Sequence, residues 1–338
     1  MGKLYNNSLS FVNDWKEPTN DDIIKCRLES KKISVVIPVY HPRYLKEVLM
    51  HLSKLEFIYE VITVFDSHDD NSNLIIDDYK FKLLIVQHDK NRNAPAANNT
   101  GATYATGDII LFLDQDMILS PKFISNALNL LYANQYKGLV VGFRDTVNYE
   151  NVPDLLNWKE SSYSNDWRIK TLISDEYLDL TVSNCGASSN NCNTGKILEI
   201  YKQSNKFRNL GIKKESTIGF WDLACMVISH TLAIPRQEFI DIGGFPEWII
   251  GWGGEDIALG FLAVSKHLFV IPVEVGSYHI KHDPHSGSEE KKWQEMRENL
   301  KKYKSWTLSI DEFQPIAENV IKKRAKILFD SSKNKFYE

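Results

Sequence analysis

The sequence predicts an α/β protein: a doubly wound, mostly parallel central sheet flanked by helices, with a helical tail at its C-terminal end. Three observations predict it. Short apolar or β-branched runs alternate with segments of helical period, the pattern of strands joined by crossover helices. Several of these runs are apolar without a break, which marks strands buried on both faces. Two acidic clusters stand at element ends, the first directly after such a run, where open α/β sheets gather their ligands.

The elements follow in order. Residues 1–30 are polar and weakly periodic and read as an arm on the outside. Ile33 to Tyr40 is a β-branched run and the first parallel strand. Pro42 suits a helix start, and Leu45, Leu49, Leu52 and Leu55 give the next segment one apolar face. Val61 to Phe65 is a second strand, ending in the polar loop that begins at Asp66, and Leu83 to Val86 is a third. Residues 91–106 form a helix with Pro95 near its start and Gly107 near its end. Ile109 to Leu113 is the central strand, followed at once by Asp114, Gln115 and Asp116. A helix over 121–133 and a strand over 138–142 complete a nucleotide-binding half, 31–145.

The second half, 146–287, begins with an irregular stretch to about residue 217 that mixes aromatics and charges, among them Trp158, Tyr163 and Trp167. A long irregular segment inside a compact domain is usually functional or mobile, and here it is expected to shape the substrate side. Thr231 to Pro235 is a short strand and 236–242 a short helix closed by Gly243 and Gly244. In the run from Ile249 to Gly260, Gly251, Gly253 and Gly254 permit an unusual backbone path. Glu255 and Asp256 then open a helix whose inner face is Ile257, Phe261 and Val264. A strand over 268–271 precedes the His279, His282 and His285 segment. The tail, 288–338, is charged and reads as two helices divided near Trp306.

Composition excludes several classes. The 338 residues are 43% apolar and 25% charged, as in ordinary soluble domains, and the net charge of -4 gives no electrostatic footprint for nucleic acid. Cys26, Cys185, Cys192 and Cys225 form no C-x-x-C pair and are read as reduced, with zinc the outside alternative. The start lacks the apolar core of a signal peptide, and Asn6 breaks the myristoylation pattern that Gly2 invites. No stretch approaches the ~20 apolar residues of a membrane span. A cytoplasmic enzyme is expected, with peripheral attachment to a membrane or an assembly left open. The sequence assigns no oligomeric state.

Two carboxylates one residue apart after a buried strand suit Mg²⁺ or Mn²⁺ held partly by substrate phosphates. They equally suit two solvated turn aspartates. Glu255 and Asp256 have their own plain reading, as acidic residues favoured by the dipole of the helix they open.

Three features in order carry a resemblance: the strand end Val36-Ile-Pro-Val-Tyr40, the block from Gly107-Asp108 to Asp114-Gln-Asp116, and Gly251-Trp-Gly-Gly-Glu-Asp256. Together they resemble the GT-A glycosyltransferases, specifically family 2-like enzymes with a galactosyltransferase-type C-terminal motif, over about residues 33 to 285. The resemblance implies a GT-A fold, a nucleotide-diphosphate sugar donor, taken as a UDP-sugar, and a divalent cation. Pro38, Val39 and Tyr40 match the strand end that lines the base, and Asp66 the acid that reads the uracil edge, although its flanks, Phe65 and Ser67-His68, depart from the family pattern. Asn99 and Gly101 match an Asn-x-Gly on the helix before the central strand; Asn98 stands where Arg is often found, so a phosphate or ribose contact falls to Arg92 or Lys90 or is absent. Asp114 matches a sugar or ribose contact with Gln115 beside it, and Asp116 a direct metal ligand. His279 matches the histidine that completes the metal site, with His282 the second choice.

Sugar transfer needs a Lewis acid at the leaving diphosphate, a base for the acceptor and in-line positioning. The resemblance makes Asp256 and Glu255 the catalytic pair, with Asp256 in the base's place and Glu255 an acceptor or donor-sugar contact, and a carboxylate at Asp256 favours inversion. Trp252, beside Gly253 and Gly254, is either a platform for a sugar face or a core filler. Trp221 and Asp222 are placed on the acceptor side by position. The acceptor is unidentified: a glycan, a lipid-linked sugar, a small molecule or a peptide side chain. Two other classes stand beside this one. A catalytically impaired nucleotide- or carbohydrate-binding module would explain the departures around Asp66 and Asn98. A nucleotidyltransferase would need a Gly- and Arg-rich phosphate loop that Tyr40-His-Pro-Arg43 does not supply.

Overall fold

The computed structural model describes residues 13, 15–67, 77–152, 158, 166, 223–282, 288, 290–292, 294–299 and 314–337. Helix α1 spans Asn20–Glu29 and is fixed by a capping box, the Thr19 hydroxyl accepting from the Asp22 N–H while the Asp22 carboxylate accepts from the Thr19 N–H. The arm therefore contains a capped helix. It buries only Cys26, which is why its sequence shows so little periodicity.

Four parallel strands follow the predicted alternation: β1 (Ile33–Val39), β2 (Ile58–Phe65), β3 (Lys82–His88) and β4 (Ile109–Leu113), with helices α2 (Leu45–Leu52) and α3 (Asn93–Tyr104) between them. Val35 pairs with Val61 on one side and Leu111 on the other. Next come β5 (Met117–Leu119), α4 (Phe123–Ala133), β6 (Gly138–Val147), β7 (Thr231–Pro235), α5 (Arg236–Asp241), α6 (Glu255–Ser265) and β8 (Phe269–Ile280). The chain ends in α7 (Glu318–Lys322), β9 (Ala325–Asp330) and β10 (Lys335–Phe336). All ten strands form one sheet in the order β10-β9-β3-β2-β1-β4-β7-β6-β8-β5.

The α/β class holds, with two corrections of detail. Beyond β4 the sheet is mixed: β7 is antiparallel to both β4 and β6, β8 is parallel to β6, and β5 is antiparallel to β8. An apolar run carries no direction; the connection sets it, and the one leading into β7 was unreadable. The tail is not wholly helical. Residues 294–299 are helical, but β9 adds to the β3 edge with Ile85 against Phe329, and β10 folds back on β9. The expected division near Trp306 lies outside the described residues.

Each strand alternates its side chains between two apolar layers. Val36, Ile62, Val64, Val86, Ile110 and Phe112 share one layer with α6 residues, whereas Val35, Ile37, Val61, Ile85 and Leu111 share the other with α2 and α4 residues. Packing is close enough that a Cβ on Gly101 would lie 2.2 Å from Val36 Cγ1, so α3 needs that glycine to seat on β1. Among the described residues no helix is long and apolar enough to cross a membrane. The sheet thus delivers the end of β1, the end of β4 and the last residues of β8 to one region.

Candidate active site

The run Ile109–Leu113 is fully buried, and the chain turns as soon as it leaves the sheet, the Met117 N–H donating to Asp114 O at 3.2 Å. β5 then pairs with the end of β8, Met117 against His279, and the Ile280 N–H donates to Asp116 O at 2.9 Å. This pairing carries two histidines to one carboxylate. His282 Nε2 lies 2.6 Å and His279 Nε2 3.5 Å from Asp116 Oδ2. One ligand atom from each of the three residues lies within 4.8 Å of the others. Asp116 Oδ1 is buried with no hydrogen-bond partner among the described residues. A carboxylate with an unsatisfied buried oxygen and two imidazoles fits a divalent transition ion such as Mn²⁺ better than Mg²⁺, which prefers oxygen. His279 and His282, weighed as alternatives from sequence, both stand at the site, His282 the nearer to Asp116.

The field around this group is strongly negative. Burial pushes Asp114 up, the charges of Asp116 and Asp256 add to it, and the carboxyl rises to about 7 against the opposing pull of Arg144 and His282. Burial also opposes ionisation of Asp116, but hydrogen bonds from His279 and His282 and their charges outweigh it and hold that carboxyl below the ordinary range.

The second acidic cluster is built on strained backbone. Gly251, Gly253 and Gly254 all have positive φ (80°, 84° and 100°), and Gly254 caps α6 in the left-handed region. The chain therefore enters α6 with Glu255 and Asp256 in its first turn. Asp256 Oδ1 accepts from the Ser229 N–H at 3.0 Å. Glu255 Oε2 is buried without a partner among the described residues, and burial, followed by the charge of Asp256, lifts its carboxyl to about 8. The Asp114 N–H donates to His230 O at 3.4 Å while Asp256 accepts from the neighbouring Ser229, so the two clusters, some 140 residues apart in sequence, are close enough to act on each other's charge.

Tail residues brace the glycine loop. The Asn299 side-chain amide donates to Ile250 O at 3.1 Å and Gly253 O at 3.0 Å, and the Trp252 N–H donates to Glu295 at 3.0 Å. Trp252 itself is 40% exposed, with Lys292 over its ring at 5.7 Å, so it does not fill the core.

The donor-side residues divide. Tyr40, at the end of β1, is exposed, and its carbonyl accepts from Gln115 Nε2 at 2.9 Å; Val39 is buried and Pro38 half-buried. Asp66 is buried, with Oδ1 bound to His88 Nδ1 at 2.6 Å and to the Arg92 N–H at 2.8 Å. Asn99 is committed internally: its amide binds Phe245 O and Glu247, and its carbonyl accepts from the Phe245 N–H. Asn99 and Gly101 thus join α3 to the loop after α5 and to β1. Arg92 is paired with Asp89 through two hydrogen bonds. Trp221, Asp222, Cys185, Cys192, His68 and most of 146–217 lie outside the described residues.

Sequence reasoning missed Arg144, because the strand over 138–142 continues to Val147. It also missed Ser229, which acts through its backbone, and Asn299, which stands in the charged tail. An Arg at the end of an apolar run was the one available signal.

The model of glycosyl transferase family 2 matches residues 34–189, and that of the N-terminal domain of galactosyltransferase matches 227–283. Validoxylamine A glucosyltransferase of Streptomyces hygroscopicus subsp. jinggangensis is 24% identical over 252 residues, 72% of this chain and 53% of that protein. Chondroitin synthase of Pasteurella multocida is 23% identical over 256 residues, 73% of this chain and 24% of that protein. Glycosyltransferase GlyG of Streptococcus pneumoniae serotype 4 is 33% identical over 127 residues, 36% of this chain and 41% of that protein. The chain thus spans about half of the first relative and about a quarter of the second. Among solved structures, the mannosyltransferase PcManGT from Pyrobaculum calidifontis, in complex with GDP-Man and Mn²⁺, covers 94% of this chain and 74% of its own at 15% identity, with a TM-score of 0.49. Residues 34–189 thus match glycosyl transferase family 2 and residues 227–283 the N-terminal domain of galactosyltransferase, on a fold of the GT-A type.

Proposed function

We propose that this chain is a metal-dependent, inverting glycosyltransferase that moves a hexose or N-acetylhexosamine from a UDP-sugar to an acceptor nucleophile on a glycan, a small molecule or a peptide side chain. The observation that carries the reading is the Asp116, His279 and His282 group standing within electrostatic reach, through Asp114, of Asp256. Asp116, His279 and His282 would hold Mn²⁺ or Mg²⁺. When bound, the cation supplies a Lewis acid that offsets charge on the departing diphosphate.

The chain's own groups supply the rest. Asp66 and the end of β1 at Pro38, Val39 and Tyr40 take the base. Asp114 and Gln115 lie against the ribose or the donor sugar. With its carboxyl at about 8, Glu255 stays protonated at neutral pH and serves as a hydrogen-bond donor to sugar or acceptor. That leaves Asp256, held by the Ser229 N–H, to take the proton from the incoming nucleophile. Trp252 offers an exposed ring beside them, suited to the C–H face of a sugar.

Incubation with UDP-hexoses and Mn²⁺ tests the reading. Slow donor hydrolysis is expected without acceptor, and Asp116→Ala should remove it. Calorimetry showing no nucleotide binding ends the proposal.

A further inference from the structure

Arg144 lies near the end of β6, and its guanidinium has no hydrogen-bond partner among the described residues. Its N–H donates to the carboxylate of Asp166 at 2.9 Å, and Asp166 is fully buried, so the backbone here is fixed from the middle segment. The ladder between β6 and β8 shifts register between Gly142 and Arg144. Beyond the shift, Arg144 pairs with Ser277 and Thr146 with His279. Cross-strand partners point to the same face, so Arg144 and His279 share one. Ser277 on that face is bound to Thr231 at 2.6 Å, and Thr231 pairs with Leu113, the residue before Asp114. Two residues along and one strand across place the Cα atoms of Arg144 and His279 about 8 Å apart, within the span of an arginine side chain.

The Arg144 side chain is half-buried. Its charge acts on Asp114, yet among the described residues the guanidinium makes no ion pair and no hydrogen bond. A planar fork that is partly desolvated and holds no hydrogen-bond acceptor among the described residues is costly until a ligand completes it. The ligand must be anionic and must lie between Asp114 and the face of His279. Phosphate oxygens match the fork in charge and spacing.

We propose that Arg144 is a further binding residue of this enzyme, its guanidinium taking phosphate oxygens of the donor diphosphate on the face it shares with His279. The assignment rests on the nucleotide-sugar reading above. An anionic acceptor is the competing ligand, and the test separates the two.

The test is calorimetric titration of wild type, Arg144→Gln and Arg144→Lys with UDP, GDP, UMP and uridine, with and without Mn²⁺, beside thermal unfolding of each protein. Loss of a charge-assisted fork predicts UDP binding about 10- to 100-fold weaker in Arg144→Gln. Uridine binding and unfolding temperature should be unchanged. Arg144→Lys keeps the charge without the fork and should fall between the two, which also decides the matter if Arg144→Gln does not fold. Wild-type affinity for UDP in both variants overturns the assignment and leaves an anionic acceptor as the ligand. Wild type that binds neither UDP nor GDP removes the nucleotide-sugar reading itself and the assignment with it.

Discussion

The two acidic clusters are held in contrasting ways. Asp114 and Asp116 leave a fully buried strand and are fixed within a few residues by ladder hydrogen bonds, the histidines arriving through the β5–β8 pairing. Glu255 and Asp256 stand on a loop whose three glycines take positive φ and whose carbonyls are tied by a side chain from the tail. The first cluster is a product of the sheet. The second depends on elements far along the chain, so its geometry can be loosened without harming the sheet. Substitution in the first cluster should therefore abolish chemistry outright, whereas substitution around the second should give graded losses.

The largest effect expected is at Asp116. Asp116→Ala removes one of three candidate ligands, and the Lewis-acid contribution it supports is several kcal/mol. Donor hydrolysis with Mn²⁺ should fall by about 10³-fold or more. Mn²⁺ binding, read by calorimetry or electron paramagnetic resonance, should weaken in parallel. Retained Mn²⁺ affinity would move the cation elsewhere and break the contrast at its first term.

Asp256→Asn comes next. The role proposed for Asp256 predicts a loss of about 10²- to 10⁴-fold in kcat with UDP affinity unchanged, since a general base would act on the acceptor. Equal loss of UDP binding would show the two clusters to be one structural unit rather than two.

A pH measurement separates the clusters thermodynamically. Glu255 rises from 4.5 to about 8 and Asp114 from 3.8 to about 7 on folding. Each folded-state value lies above the unfolded one, so the folded protein binds more protons between those limits. Stability contributed by these groups is fully present below about pH 4 and is lost as pH rises through about 7 to 8. Metal-free protein should show a falling Tm from pH 5 to pH 8.5. Glu255→Gln should flatten part of the slope, an effect of about 1–3 kcal/mol after discounting for the strong coupling of the site. A slope unchanged by Glu255→Gln would assign it to Asp114 alone.

The same contrast explains what the sequence made legible. An unbroken apolar run ending in Asp114 and Asp116 encodes its own burial and its own exit from the sheet, so β4 and the first cluster could be read directly. The triglycine spacing announced an unusual turn and the acidic pair after it. What held that turn could not be read, because Glu295 and Asn299 sit in a charged segment whose pattern resembles any solvated helix. Strand β9 was missed for a related reason: Ile327 to Phe329 is a short apolar run whose partner, β3, lies some 240 residues earlier. His279 and His282 could not be ranked, since a ladder register rather than local sequence brings both to Asp116. The resemblance assigns Asn99 to the donor, whereas its amide is complementary to the Phe245 backbone, and no local pattern distinguishes an asparagine that clamps a loop from one that meets a ligand.

The smallest effect expected tests the brace directly. Asn299 is buried, and its amide satisfies Ile250 O and Gly253 O while its Cβ lies 3.5 Å from where a Cβ on Gly254 would stand. Asn299→Ala leaves two loop carbonyls without their donor, and each lost buried hydrogen bond costs about 1 kcal/mol. A Tm lower by several degrees is expected, along with an acceptor KM raised several-fold, because the loop carries Trp252 and leads into Asp256. UDP affinity and Mn²⁺ affinity should stay at wild-type values, since the first cluster is fixed by the sheet. A stability loss without any change in acceptor KM would mean that the loop keeps its path unaided, and that its strained glycines, rather than the tail, place the second cluster.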